Sequence, residues 1–149
     1  MNSISSKIYF LTLLIFAFSS CSKIKIRTAE DKLYGEWTFE KASFYKNGSL
    51  RCQEKIQEFD ESSIFFKNDG TLTLDDRDKG FYYEGTWTLE QDWGEEGSSF
   101  YYMEMQLVDT ASNDTFTEYW DEMNIRKSAI DFRQESDEGH YNFKIIKQQ

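Results

Sequence analysis

From Leu33 onward, apolar and polar residues alternate in short segments, and this alternation predicts β-strands that have one face in a core. The clearest segment is residues 81–90. Its odd positions are aromatic or aliphatic residues and one glycine, whereas its even positions are polar apart from Tyr82. The odd positions are therefore expected to point into the core and the even positions into water.

A break in this alternation follows the first strand. Residues 33–39 carry their apolar side chains at odd positions, but Ala42 and Phe44 fall on even ones. A β-bulge inserts one extra residue into a strand and so moves the later side chains to the other face. We therefore predict a bulge near Lys41, which would return the apolar residues to the core.

Six more segments complete the strand pattern: residues 64–67, 71–74, 100–108, 115–125, 129–134 and 141–147. The first two flank Asn68-Asp69-Gly70, a typical hairpin turn. Residues 49–62 fit either a short helix that acts as a lid or a ragged extra strand. About eight short strands with no helical period between them predict an all-β sandwich or an antiparallel barrel.

The first twenty residues differ from the rest, since they contain one basic residue, Lys7, and no acidic residue. Only Thr12 interrupts their apolar run, residues 8–18, which is about half of the ~20 residues that a membrane-spanning helix needs. A basic start, a short apolar run and small residues after it are typical of a cleaved secretory signal.

Ser19 and Ser20 directly precede Cys21. This order resembles a lipobox, the site that bacterial lipoprotein signal peptidase recognises. The resemblance implies that residues 1–20 are a signal peptide, that the Cys21 thiol carries a lipid, and that residues 21–32 are a lipidated N-terminus and polar tether. Cys52 is then the only free cysteine, so no internal disulfide is expected, and we predict that Cys52 is buried or idle.

One sequence element occurs twice, as GEWTFE at residues 35–40 and as GTWTLE at residues 85–90. Each glycine lies two residues before a tryptophan and on the same strand face, where it leaves space beside the ring or lets a neighbouring strand approach. The first copy resembles the G-x-W signature of lipocalins. With the lipobox, the D-G hairpin and the second copy, the order of motifs resembles the lipocalin-like lipoproteins of the Bacteroidota.

This resemblance favours a lipocalin-like, antiparallel up-and-down barrel of about eight strands over residues 33–149. It implies a basic side chain from a late strand stacked on Trp37, for which Arg126, Arg133 and Lys144 are candidates. Some lipoproteins of this group carry an acidic export cluster directly after the lipidated cysteine, and Cys21 is not followed by one. We therefore expect a lipid-anchored protein of the cell envelope, in the outer membrane and facing the periplasm.

The composition of the chain argues against several classes of function. The 149 residues carry a net charge of −10, and so acidic a chain repels the phosphates of nucleic acids. There is one histidine, His140, and no motif of a catalytic nucleophile, a phosphate-binding loop or a zinc site, so we predict no enzyme, metal or cofactor. Several acidic residues fall in predicted turns, where solvated side chains are the ordinary interpretation.

The apolar strand faces are the remaining candidates for a site, because an eight-stranded barrel can be filled by side chains or hold one small ligand. The residues expected to point inward are Trp37, Phe39, Leu72, Leu74, Phe81, Tyr83, Trp87, Leu89, Met103, Met105, Leu107, Ile130, Phe132, Phe143 and Ile145. Those proposed to contact an apolar ligand are Trp37, Phe39, Tyr83, Trp87, Met103, Met105 and Phe132. The pattern leaves a packed core and a cavity equally open.

The alternative to a ligand-binding barrel is an interaction or structural module of the envelope with a solid core. Aromatic residues off the predicted inner face would then form its contact surface: Phe44, Tyr45, Tyr82, Phe100, Tyr102, Phe116 and Trp120. Asp109-Thr110-Ala111 also resembles the D-[ST]-A motif at which some Bacteroidota attach O-glycans. Thr110 is therefore a candidate glycosylation site, with a plain turn as the alternative.

Overall fold

The computed structural model describes residues 25–77, 79–93 and 99–148. A helix, α1, covers residues 25–33, and a short 3-10 helix covers Ile56–Glu58. The strands are β1 Gly35–Lys46, β2 Cys52–Glu54, β3 Ser62–Phe66, β4 Thr71–Asp76, β5 Phe81–Trp93, β6 Ser99–Asp109, β7 Thr115–Ile125, β8 Ala129–Ser136 and β9 Gly139–Lys147.

Eight of these strands close into an antiparallel barrel. From β3 to β9 each strand pairs with its neighbours in sequence, β3 pairs with the first half of β1, and β9 pairs with the other edge of β1. The short strand β2 lies outside this ring and pairs with the second half of β1. The prediction of an all-β, up-and-down barrel of about eight strands is therefore confirmed.

The bulge predicted near Lys41 is present. The register of β1 against β9 shifts between Phe39 and Lys41, and both Trp37 before it and Ala42 after it are fully buried. Phe44 follows Ala42 on the inner parity, is 8% exposed and lies 4.8 Å from the ring of Tyr141. The assignment of Phe44 to an exposed contact surface is wrong for this reason.

A second bulge, in β7, was not predicted. Glu122 has a φ of 50°, and the pairing of β7 with β8 shifts register around it. Phe116 and Trp120 point inward before the bulge, whereas Met123 and Ile125 do so after it. Trp120 is only 3% exposed, so the placement of Phe116 and Trp120 on an outer surface is wrong.

Helix α1 closes one end of the barrel. Ala29 and Leu33 lie one helical turn apart, and both are buried in the core. The indole nitrogen of Trp37 donates a hydrogen bond of 2.6 Å to the carbonyl of Leu33, which ties the helix end to β1. Residues 25–32 are therefore a packed helix and not the polar tether that was predicted, and the predicted signal peptide and Cys21 lie outside the described residues.

Lys147 of β9 supplies the basic partner of the first-strand tryptophan. Its ammonium lies 5.2 Å from the ring centroid of Trp37 and donates a hydrogen bond of 3.0 Å to the carbonyl of Lys32. Burial lowers the pKa of Lys147. The three predicted candidates instead form ion pairs elsewhere: Arg126 with Asp131, Arg133 with Glu135, and Lys144 with Glu40.

The glycines of the repeated element have different roles. Gly35 has a φ of 120°, which residues with a side chain rarely adopt. Gly85 instead permits close contact with β6, because a Cβ there would lie 2.1 Å from the carbonyl oxygen of Gln106. The second glycine thus has one of the two roles that the sequence predicted, the approach of a neighbouring strand.

We expect Gly85→Ala to lower the free energy of unfolding by about 1–3 kcal/mol, because the added methyl group forces β5 and β6 apart. Chemical denaturation monitored by tryptophan fluorescence measures the loss. Thr86→Ala, at the exposed neighbouring position, is the control and should stay within about 0.5 kcal/mol of the parent. Equal stability of Gly85→Ala and the parent protein would contradict the close approach.

Candidate functional site

The barrel is filled at one end and open at the other. Near α1, Trp37, Phe66 and Trp87 pack together with Leu33, and the rings of Phe66 and Trp87 meet edge-on at 5.7 Å. The opposite end, where β4 and β8 finish and β5 begins, holds a cavity of about 460 Å³. Ligand sites in proteins typically have volumes of roughly 300–1,000 Å³, so the cavity is large enough for a small molecule.

The predicted ligand contacts divide between these two halves. Phe39, Tyr83, Met105 and Phe132 line the cavity. Trp37, Trp87 and Met103 are buried in the filled half and do not line it. The alternation of residues assigns a side chain to a face of the sheet, but it carries no information about which end of the barrel is packed.

Aromatic rings form much of the cavity wall. Trp120 of β7 stacks on Phe132 of β8 with ring centroids 3.7 Å apart. Phe116 of β7 meets Tyr83 of β5 edge-on at 5.2 Å. Rings that contact one another in this way hold their positions, so the wall offers a preformed apolar surface.

The connection between β1 and β3 covers part of the cavity mouth. Phe59, directly after the 3-10 helix, lies 5.4 Å from Phe39 and 5.1 Å from Phe143, and the ammonium of Lys79 lies 4.9 Å above its ring. Residues 49–62 thus contain both structures that the sequence left open, an extra strand and a short helix at the mouth.

A buried carboxylate, Asp76, holds the rim of the cavity together. It accepts a hydrogen bond of 3.2 Å from the hydroxyl of Ser62 and one of 3.0 Å from the ammonium of Lys79. These contacts join the start of β3, the end of β4 and the turn that follows. Because Asp76 is 8% exposed, Lys79 compensates a charge that has largely lost its water.

A second carboxylate, Glu118 of β7, lies on the inner face among the rings. The side-chain amide of Gln134 in β8 donates a hydrogen bond to it. Burial raises the pKa of Glu118, and the hydrogen bond from Gln134 acts in the opposite direction. Burial, followed by the nearby carboxylates of Asp109, Asp76 and Glu118, also raises the pKa of Tyr83.

Sequence reasoning missed several residues of the cavity wall, namely Phe59, Phe116, Glu118, Trp120, Gln134 and Tyr141. Those of β7 follow from the unpredicted bulge at Glu122. The signal for it was present, since Phe116 and Trp120 occupy even positions whereas Met123 and Ile125 occupy odd ones. A conflict of the same kind located the bulge in β1.

The other candidate positions lie away from the cavity. Thr110 is exposed in the turn between β6 and β7, where its hydroxyl donates a hydrogen bond of 3.0 Å to the carbonyl of Tyr82, and its glycosylation stays a prediction. Cys52 is exposed, which rules out the buried alternative, and an idle Cys52 stays a prediction. Cys21 lies outside the described residues.

Within residues 25–77, 79–93 and 99–148, no group of three or more histidine, cysteine or acidic side chains is placed to hold a metal ion. No helix in these same ranges has the length and apolar character needed to cross a membrane.

Comparisons of the chain with family models, with curated proteins and with solved structures find no match. Function is therefore argued from the cavity and from the sequence motifs.

Proposed function

We propose that this chain is a non-enzymatic, lipid-anchored binding protein of the cell envelope, which holds a small apolar or amphipathic molecule in its barrel. The observation that carries the proposal is the cavity of about 460 Å³ at the open end. Its wall combines large rings with Met105, and burial of an apolar ligand there is favourable by roughly 25 cal/mol per Å² removed from water. Methionine adapts its shape to different ligands, which suits such a wall.

The proposed anchor fits the orientation of the barrel. Cys21 precedes the start of α1 by four residues, which reach at most about 14 Å when extended. Because α1 closes the filled end, a lipid on Cys21 would hold that end towards the membrane. Residues 22–27 include three Lys or Arg residues, which favour an anionic membrane surface.

A blocked cavity tests the binding function. Leu74 lines the cavity, so we expect Leu74→Trp to fill it and to weaken binding of an internal ligand by about tenfold or more. Thr73→Trp is the matched control, because Thr73 is the adjacent residue and points away from the barrel interior. Fatty acids, lipids and hydrophobic dyes are screened on the chain from Ser22 onward by thermal shift and tryptophan fluorescence.

Ligand binding stabilises the folded state by mass action, by about 2.7 kcal/mol at a hundredfold excess over the dissociation constant. Binding that survives Leu74→Trp unchanged would place the ligand on the surface. The absence of any thermal shift across the screen would contradict the binding function and favour the alternative, an envelope interaction module. Among the described residues, its outer surface would carry the rings of Phe65, Tyr82, Phe100 and Tyr119, which are 42–52% exposed.

A further inference from the structure

Among the described residues, four carboxylates line the cavity, and three of them are paired with a basic side chain. Glu58 pairs with Lys55, Asp76 with Lys79 at 3.0 Å, and Glu135 with Arg133 at 2.6 Å. Glu118 differs from these three. Among the described residues it forms no ion pair, and its partner is the neutral amide of Gln134.

Glu118 is half-buried and lies among apolar groups. It projects from the inner face of β7 between Phe116 and Trp120, its neighbours on that face at about 7 Å along the strand in either direction. A carboxylate partly removed from water is stabilised when a positive charge comes to it. Lys79, the basic side chain of the described cavity wall, is paired with Asp76 instead. The faces of aromatic rings attract cations as well. Phe116 is half-buried, whereas Trp120 is 3% exposed and stacked on Phe132, so Phe116 offers the more accessible ring.

From this arrangement we infer that the ligand of the cavity carries a cationic amine head on an apolar body, and that Glu118 with the adjacent ring of Phe116 receives the head. The inference rests on the proposed binding function and specifies the chemical class of the ligand. The ammonium would form a charge-assisted hydrogen bond with the free oxygen lone pairs of Glu118, while Gln134 continues to orient the carboxylate. The apolar body would lie against Tyr83, Met105 and Phe132.

A fatty acid is the ligand usually expected for an apolar barrel, but it fits the wall of this cavity poorly. Its carboxylate would meet the negative charge of Glu118, and the nearest ammonium, that of Lys79, is engaged with Asp76 and Phe59. Two like charges repel each other strongly when they lie close together in a partly desolvated site. The wall therefore discriminates by head group as well as by size.

Three eight-carbon probes, octylamine, octanol and octanoate, separate the contribution of the head group to the binding affinity from that of the alkyl chain. The amine is protonated at pH 7, since its pKa is near the value of about 10 for a lysine side chain. Each probe is titrated by calorimetry into the chain from Ser22 onward, which includes all of the described barrel. We expect octylamine to bind about tenfold more tightly than octanol, and octanoate to bind most weakly.

Glu118→Gln removes the charge and keeps a group that Gln134 can hydrogen-bond. We expect this variant to lose the preference for octylamine over octanol, and octanol binding that can still be measured would show that its cavity is intact. Glu84→Gln is the matched control, because Glu84 is an exposed carboxylate on the outside of β5, and its probe order should be unchanged.

The outcomes distinguish this inference from the binding function on which it rests. Octanol binding without a preference for octylamine, or a preference that persists in Glu118→Gln, would overturn the amine assignment and leave the binding function standing. If none of the three probes binds to the parent protein, the amine assignment and the apolar-ligand function fail together.

Discussion

Trp37→Ala is expected to lower the free energy of unfolding by about 3–5 kcal/mol, the range for removal of a large buried ring. Trp37 is fully buried where β1, β3, β9 and α1 meet. The substitution removes the hydrogen bond from the indole to the carbonyl of Leu33 and takes away the ring beneath Lys147. The buried carbonyl of Leu33 is then left without this hydrogen bond, which adds to the cost of the cavity.

Denaturation of the chain from Ser22 onward measures this loss, and Trp87→Ala should lose stability in the same range. Trp87 is 7% exposed, and its indole donates a hydrogen bond of 3.2 Å to the carbonyl of Thr71. Tyr119→Ala is the control, since this large ring is 52% exposed and should cost under about 1 kcal/mol. Losses below about 1 kcal/mol for both tryptophans would mean that the inward assignment is wrong.

The fold could be predicted because one rule, the alternation of side chains between two faces, holds along nearly the whole chain. It placed Trp37 and Met105 in the interior, and its break at Ala42 located the bulge between Phe39 and Lys41. The role of Gly85 in the close approach of a neighbouring strand was inferred from its position two residues before Trp87. All of these inferences concern the relation between a residue and its own strand.

The candidate site could be predicted only in part, because it depends on the height of each residue along the barrel. Trp37 and Phe39 belong to the same face of β1, yet only Phe39 lines the cavity, since α1 fills the end that Trp37 occupies. The α1 segment contains Ala29 and Leu33 among many charged residues, a weak apolar pattern from which a tether was inferred. Its burial follows from tertiary packing, which local pattern does not contain.

Glu118 was overlooked for a different reason. A glutamate in an alternating strand is ordinarily assigned to the outer face, and the bulge at Glu122 that reverses this assignment was not recognised. Once Trp120 is known to be buried, Glu118 must share its face, because the two are two positions apart in the strand. The residue that best specifies the ligand is thus the one that the sequence rule placed in water.

The two ends of the barrel differ in their construction, and this difference links the fold to the proposed function. At the filled end Trp37, Phe66 and Trp87 supply packing, so a ligand does not have to complete the core. At the open end Phe59 and Lys79 cover only part of the mouth. Stability and binding can then be changed separately, as the tryptophan and Leu74 substitutions are designed to test.

Cys21→Ser is expected to abolish acylation of the protein completely in its native host. Transfer of a diacylglycerol requires the nucleophilic sulfur of a cysteine, and serine offers only a weakly nucleophilic hydroxyl. The lipoprotein peptidase acts on the acylated precursor, so residues 1–20 should also remain attached. Labelling with a fatty-acid probe, followed by the intact mass of the purified protein, measures both effects.

Cys52→Ser is the matched control, because it makes the same atomic change at the exposed cysteine between β1 and the 3-10 helix. Its labelling and its cleavage should equal those of the parent. Release of Cys21→Ser into the soluble fraction is not a sufficient test by itself, because the uncleaved apolar run of residues 8–18 can retain the precursor at the membrane. The test therefore depends on the fatty-acid label. Labelling that persists in Cys21→Ser would contradict an anchor at this residue. Loss of the label in Cys21→Ser, but not in Cys52→Ser, would assign the lipid to Cys21.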